Sequence, residues 1–174
     1  VGQYLRTFLT DPAIMEMPYL LRQLLVREII VPRRAPKSAK RYRQIWMPEG
    51  SPLVVYSRQL AEELSRLSGC PAYLAMRYEE GSVDRALRQA DVDGVTELIS
   101  QPLYPQYASS SFGSASTFIR RRYEALRPSY RLTERGPFYD HPDFIRSLAE
   151  QVAGAELSPE THLLLSFHGL PLSQ

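Results

Sequence analysis

His168 follows the apolar run Leu163-Leu164-Leu165 and precedes Gly169-Leu170-Pro171, so an imidazole arrives where a strand pattern stops and the chain must turn. Neutral imidazole accepts a proton near neutral pH and binds borderline metal ions. The same position also suits a histidine that only caps a strand end. Arg77-Tyr78 closes a second apolar stretch, Pro71-Ala72-Tyr73-Leu74-Ala75-Met76, and a cation placed there needs an anionic partner or water. Between Pro32 and Gly50 the chain turns basic and aromatic, with Arg33, Arg34, Lys37, Lys40, Arg41, Tyr42, Arg43 and Trp46. Such a run holds carboxylates by charge-assisted hydrogen bonds and stacks on a flat ring, or it is a solvated face that touches anionic lipid. Gly50-Ser51-Pro52 and Ser109-Ser110-Ser111 offer hydroxyl and amide groups to an anion, the latter ahead of a helix start at about Gly113. No phosphate-loop lysine pattern accompanies them, which argues against a nucleotide. His141, within Asp140-His141-Pro142, and His162 read as surface residues.

The elements that would position these groups can be read from spacing. Leu5, Phe8 and Leu9 recur as on an amphipathic helix that is already running at residue 1, which predicts a chain cut at its N-terminus. Tyr19 to Ile30 reads as a helix with one broad apolar face. Leu60, Leu64 and Leu67 predict a helix over 57–67 with Ser57 as its N-cap, followed by a strand over 71–78 and a helix from about Ser82 to Ala90. Val95 to Ser100, Tyr130 to Glu134 and Thr161 to Phe167 read as strands. Gly113 to Leu126 and Asp143 to Ala153 read as helices. Strands that alternate with helices predict an α/β fold with a mainly parallel sheet, in which ligands bind beyond the C-terminal strand ends. On that expectation Arg77-Tyr78, Tyr104-Pro105-Gln106-Tyr107 and Ser166-Phe167-His168-Gly169 converge on one edge.

Composition sets the outer limits. At 174 residues with 44% hydrophobic and 23% charged residues, the chain has the size and balance of one globular domain with a real core. Lys and Arg total 21 against 19 Asp and Glu, so a net charge of +2 gives no electrostatic case for nucleic acid. The single cysteine, Cys70, excludes an intrachain disulfide and cannot supply a Cys-rich zinc site or an iron–sulfur cluster from this chain. A lone thiol fits a reducing cytosol. No apolar run approaches the ~20 residues of a spanning helix, and the start lacks a signal-peptide pattern. The expected location is cytoplasmic or peripheral to an inner membrane.

Taken in order and spacing, Arg34-Ala35-Pro36-Lys37, Tyr42, Gly50-Ser51-Pro52, Arg77-Tyr78, Pro102-Leu103-Tyr104-Pro105-Gln106-Tyr107 and Ser166-Phe167-His168-Gly169-Leu170-Pro171 resemble the ferrochelatases, enzymes that insert ferrous iron into a porphyrin. The resemblance spans nearly the whole chain, and Ile45-Trp46-Met47-Pro48-Glu49-Gly50-Ser51 is closer to Gram-negative bacterial members than to animal ones. It implies a Rossmann-like parallel sheet flanked by helices, one of two similar domains that hold the porphyrin between them. Residues 1–160 would be the first domain without its first strand, and 161–174 the strand and loop that begin a second. The resemblance places His168 at the metal-insertion centre, as proton acceptor or iron ligand. Arg34, Tyr42 and Ser51, with Lys37 beside them, would bind the porphyrin, and Arg77 and Tyr78 would form the wall opposite His168. Residues 19–30 match the lip of the active-site mouth, which some members use to meet a membrane. Ferrous iron is then a substrate, and no permanently bound cofactor is implied.

Two departures accompany the resemblance. The family's opening strand and Asn-Leu-Gly-Thr-Pro-like loop have no counterpart here, and its acidic partner of the histidine lies in a domain that would follow Gln174. The expected chain therefore lacks a complete active site and, with an apolar edge left uncovered, tends to self-associate. Two other readings share these residues: a cobalt chelatase of the more carboxylated ring sirohydrochlorin, and a non-catalytic porphyrin-binding module.

Overall fold

A computed structural model describes residues 1–155, 158 and 160–170. The chain opens with α1 (Gly2–Leu9), whose Leu5 and Leu9 are buried as their spacing requires. Thr10 ends it, its hydroxyl turning back to donate to Arg6 O at 2.8 Å. Next, α2 (Tyr19–Leu24) runs without a break through a π-helical turn at Leu25–Ile30 into α3 (Val31–Arg43). The π turn inserts an extra residue per turn and so rotates the apolar stripe relative to the basic one that follows. Val26 and Val31 turn inward and close a small core with Leu5 and Leu9, to which Phe8, Ile14, Met15, Ile30 and Ala35 add their edges.

Met47 and Gly50 exchange backbone hydrogen bonds of 2.9 and 3.0 Å, and Gly50 adopts φ +130°, a value open to glycine and strained for other residues. That turn feeds α4 (Pro52–Ser68), whose N-cap is Ser51, six residues ahead of the expected Ser57; Pro52, with its φ already helical and no N–H to satisfy, opens the first turn.

A second core is built by α5 (Ser82–Val92), β1 (Glu97–Ser100), α6 (Ser114–Leu126) and β2 (Arg131–Glu134). The strands pair in parallel from Glu97 with Arg131 to Ser100 with Glu134, and α6 is the crossover between them. Alternation holds along β1: Leu98 and Ser100 face inward while Glu97 and Ile99 face out. Val83, Leu87, Ala90 and Tyr130 are buried at the centre. The Tyr130 hydroxyl donates to Leu87 O at 3.0 Å, and Tyr123 donates to Tyr130 O at 2.6 Å, so the polar tips of both rings are satisfied. The last helix, α7 (Pro142–Ala153), is capped by His141, whose Nδ1 accepts from Asp143 N at 3.3 Å.

The architecture is α/β with a short parallel sheet, as the alternation predicted. Two of the four expected strands do not form among the described residues. Residues 71–76 run without a ladder partner, although Tyr73 and Ala75 still pack on the second core. Residues 161–170 lie outside helix and sheet, with Leu163, Leu164, Leu165 and Phe167 exposed. An apolar run marks a segment that can be buried, whereas a strand also needs a neighbour to complete its hydrogen bonds. Pro171 to Gln174 of the expected histidine loop lie outside the described residues.

Candidate functional site

Arg77 and Tyr78 sit where the two cores meet. The Arg77 guanidinium lies 4.0 Å over the Phe118 ring of α6, on the second core, and 4.7 Å from the Tyr78 ring. Tyr78 leans the other way, edge-on to Phe8 at 5.1 Å and to Tyr4 at 6.2 Å, both on α1. The anion that Arg77 required is Asp11, just past α1. Asp11 is almost fully buried, and its Oδ2 accepts from Arg77 Nη2 at 2.6 Å, Ser114 Oγ at 2.7 Å and Tyr78 OH at 3.2 Å. Its other oxygen, Oδ1, accepts from Ala13 N at 2.9 Å, closing a local turn that aims the carboxylate. Arg77 Nε adds a bond to Ser114 Oγ at 3.2 Å. Asp11, Arg77 and Ser114 line an open cleft of about 310 Å³, to which Ser109, Thr117 and Arg121 also contribute.

The electrostatics of the wall follow from this packing. Burial is the main reason the Tyr78 phenol is pushed up to about 12, and the Asp11 carboxylate adds to it against the lowering effect of Ser114 and Arg77. Tyr78 is thus neutral at ordinary pH, and the charges of Arg77 and Asp11 offset each other. Tyr4 also ionises less readily than a free tyrosine, through burial first and then the nearby hydroxyls of Tyr42 and Tyr104. Tyr4 and Tyr78 thus meet edge-on beside Phe8, and Tyr42 and Tyr104 stand near enough to Tyr4 to disfavour its ionisation.

The remaining expected site residues are placed as follows. Arg34 and Lys37 are exposed on α3, one turn apart, and make no ion pair among the described residues. Tyr42 lies in the last turn of α3, near Tyr4. Ser51 N-caps α4 without a side-chain capping bond, so its hydroxyl is not consumed by the helix. His168 is exposed, and its Nδ1 lies 2.8 Å from the carbonyl of Gly169, the residue next to it. The structure thus brings Arg77 and Tyr78 together on Asp11, with Tyr42 and Tyr104 near Tyr4, while His168 lies in the exposed 161–170 segment. Among the described residues, no three His, Cys, Asp or Glu side chains group to hold a metal ion.

Asp11, Tyr4 and Ser114 belong to the site and were not singled out by type or spacing. Nothing in Asp11-Pro12 marks it as the partner of that arginine, and only the rule that a cation there needs an anionic partner or water pointed toward it.

The sequence model of the ferrochelatase family matches residues 1–174, the whole chain. The chain belongs to the ferrochelatase family. Among curated ferrochelatases, that of Opitutus terrae is 39% identical over 175 residues, covering 99% of this chain and 51% of the relative. The ferrochelatase of Pseudomonas paraeruginosa is 41% identical over 172 residues, with 98% of this chain and 50% of the relative covered. The ferrochelatase of Stutzerimonas stutzeri is likewise 41% identical over 172 residues, with the same coverage. The chain therefore spans about half the length of the curated ferrochelatases it matches.

Proposed function

We propose that the complete protein inserts ferrous iron into a porphyrin, protoporphyrin or coproporphyrin, and that this chain supplies one wall of the ring pocket and the histidine that takes up a proton. The observation that carries the reading is Tyr78, held on the buried Arg77–Asp11 pair and edge-on to Tyr4, with Tyr42 and Tyr104 near Tyr4, in a chain of the ferrochelatase family. Aromatic faces, with the Tyr78 hydroxyl satisfied by Asp11, favour a large flat ligand. Arg34 and Lys37, exposed and unpaired among the described residues, suit the ring's carboxylates, and the free hydroxyl of Ser51 suits a further polar contact.

The reaction exchanges two pyrrole protons for one ferrous ion. A flat macrocycle shields its nitrogen lone pairs, so a pocket that binds the bent ring better than the flat one lowers the barrier. His168, as neutral imidazole, accepts a pyrrole proton on one face or ligates the incoming iron. Its carboxylate partner comes from the half of the enzyme beyond this chain. Residues 161–170, uncovered here, then pack where that half joins residues 1–160. The exposed Tyr19, Leu20, Leu21, Leu24 and Ile29 suit a peripheral contact with a membrane surface; no helix among the described residues is long and apolar enough to cross one.

The test is anaerobic incubation of the complete gene product with ferrous iron and protoporphyrin, read by loss of porphyrin fluorescence. Insertion by the wild type and its loss in His168→Ala are expected. Cobalt insertion into sirohydrochlorin with none of iron into porphyrin identifies the other chelatase. Ring binding without turnover identifies a binding module.

A further inference from the structure

Arg77 is the cation stacked on the Tyr78 ring, and it does not face its surroundings as a free charge. Its side chain is 18% exposed, and that of Asp11, which meets its Nη2 at 2.6 Å, is 6% exposed. The guanidinium is also clamped between the rings of Phe118 and Tyr78. Asp11 holds three donors on one oxygen while its other oxygen is fixed by Ala13 N, so the carboxylate cannot turn away without giving up bonds on both sides. On the opposite balance, Arg34 and Lys37 on α3 carry no ion pair among the described residues. The α3 side is thus cationic and available, whereas at Tyr78 the stacked cation is offset by its own carboxylate, with Arg121 standing separately in the cleft.

We infer that Asp11 is a positioning residue that sets the charge of this wall: by neutralising Arg77 and fixing Tyr78 it keeps the wall aromatic and uncharged, so that a ring's carboxylates are directed to the Arg34 and Lys37 side. The inference rests on the porphyrin reading above and deepens it, because it makes Asp11 a determinant of how many carboxylates the bound ring carries. A ring with carboxylates on one side only leaves the Tyr78 wall to apolar substituents. A ring with carboxylates all round must bring one against a wall that offers it no net positive charge, and loses the desolvation cost of that group.

The test uses the complete gene product and compares kcat/KM for iron insertion into a tetracarboxylate ring, coproporphyrin, with that for a dicarboxylate ring, protoporphyrin. Asp11→Asn is nearly isosteric and unmasks the Arg77 charge. It is expected to raise the tetracarboxylate to dicarboxylate ratio by about tenfold, the scale of one charge-assisted hydrogen bond. Arg77→Gln leaves the Asp11 carboxylate unbalanced and is expected to lower the ratio. The double variant leaves no lone charge behind, which guards against a misfolded single variant, and is expected to return the ratio close to the wild-type value whatever its absolute rate. A merely structural role would depress both substrates together and leave the ratio alone. A wild type that inserts iron with a ratio unmoved by either single substitution overturns the inference. A wild type that inserts iron into neither ring overturns the functional reading, and this inference with it.

Discussion

Asp11 and Ser114, 103 residues apart in the chain, meet in a buried hydrogen bond of 2.7 Å from Ser114 Oγ to Asp11 Oδ2. Ser114 opens α6, which packs on the α/β core, whereas Asp11 follows α1, which packs on the helical one. The contact therefore ties the two cores at the point where Arg77 and Tyr78 sit. Ser114→Ala removes one of three donors from a buried carboxylate oxygen. It is expected to cost about 1–2 kcal/mol of unfolding free energy. Denaturant titration of the complete protein checks this, and an unchanged midpoint would show that the bond contributes nothing net.

The sequence made most helices legible, because their apolar residues recur at helical spacing whatever lies around them; α3 escaped because its surface is basic and shows no such apolar stripe. Leu5 and Leu9 are buried as predicted, and α5, α6 and α7 start and stop within a few residues of expectation. Strands were harder. Glu97–Ser100 and Arg131–Glu134 find each other across α6, while 71–76 and 161–167 carry equally apolar patterns and no ladder among the described residues. Pairing depends on a neighbour that no local pattern encodes. The site shows the same division. Arg77 announced that it needed an anion or water, but nothing in Asp11-Pro12 announced that an anion would be supplied from across the fold. Tyr4 looked like an ordinary residue of an amphipathic helix; its place beside Tyr78 depends on how α1 crosses the rest of the chain.

Asp84 on α5 and Arg122 on α6 form a two-pronged pair at 2.6 and 2.5 Å. The hydrogen bonds from Arg122 hold the Asp84 carboxyl below its usual range. A depressed folded-state value means that the pair's contribution is fully present above the ordinary carboxylate pKa and is lost as pH falls through the lower folded value. Because both side chains are partly solvated, the contribution is no more than about 1 kcal/mol. Asp84→Asn is expected to lower Tm at pH 7 and to match the wild type once the medium is acidic enough to protonate Asp84 in both states. Equal Tm values at pH 7 would show that solvent has cancelled the pair.

Three phenols, of Tyr73, Tyr78 and Tyr130, are pushed up to about 12, each chiefly by burial. Raised folded-state values stabilise the neutral form, so their contribution is fully present below the ordinary tyrosine pKa of ~10 and is lost as pH climbs toward about 12. Stability should therefore fall across that alkaline window. Ultraviolet titration of the 11 tyrosines should show a late-ionising group that joins the main transition on denaturation. A single transition near the ordinary value in the folded protein would contradict the packing of all three rings.

Gly50 ends the turn in which Met47 and Gly50 exchange hydrogen bonds, and its φ of +130° lies where a side chain strains the backbone. No atom lies within 4 Å of where a Cβ would stand, so Gly50→Ala meets strain and no clash. The cost is expected to be about 1–3 kcal/mol. The variant relieves the strain by opening the turn, and that moves Ser51, the next residue and the N-cap of α4. Ring affinity and unfolding midpoint should then fall together in Gly50→Ala, while Glu49→Ala, on the exposed part of the same turn, changes neither. A loss of stability with ring affinity intact would separate Ser51 from ring binding.

Leu163, Leu164, Leu165 and Phe167 are exposed in succession on a segment outside helix and sheet, and Leu53, Tyr56, Leu60, Leu64 and Leu67 form an exposed stripe along α4. Isolated apolar residues are common on surfaces, whereas contiguous patches of this kind mark surfaces that are covered in use. Residues 1–174 expressed alone should therefore self-associate with rising concentration, and the complete gene product should do so less. Sedimentation velocity distinguishes the outcomes. Replacing Leu164, the most exposed of the four at 88%, with Lys should reduce association of the isolated chain if the 163–167 segment drives it. If Leu164→Lys has no effect and Leu60→Lys does, the α4 stripe is the surface that seeks a partner.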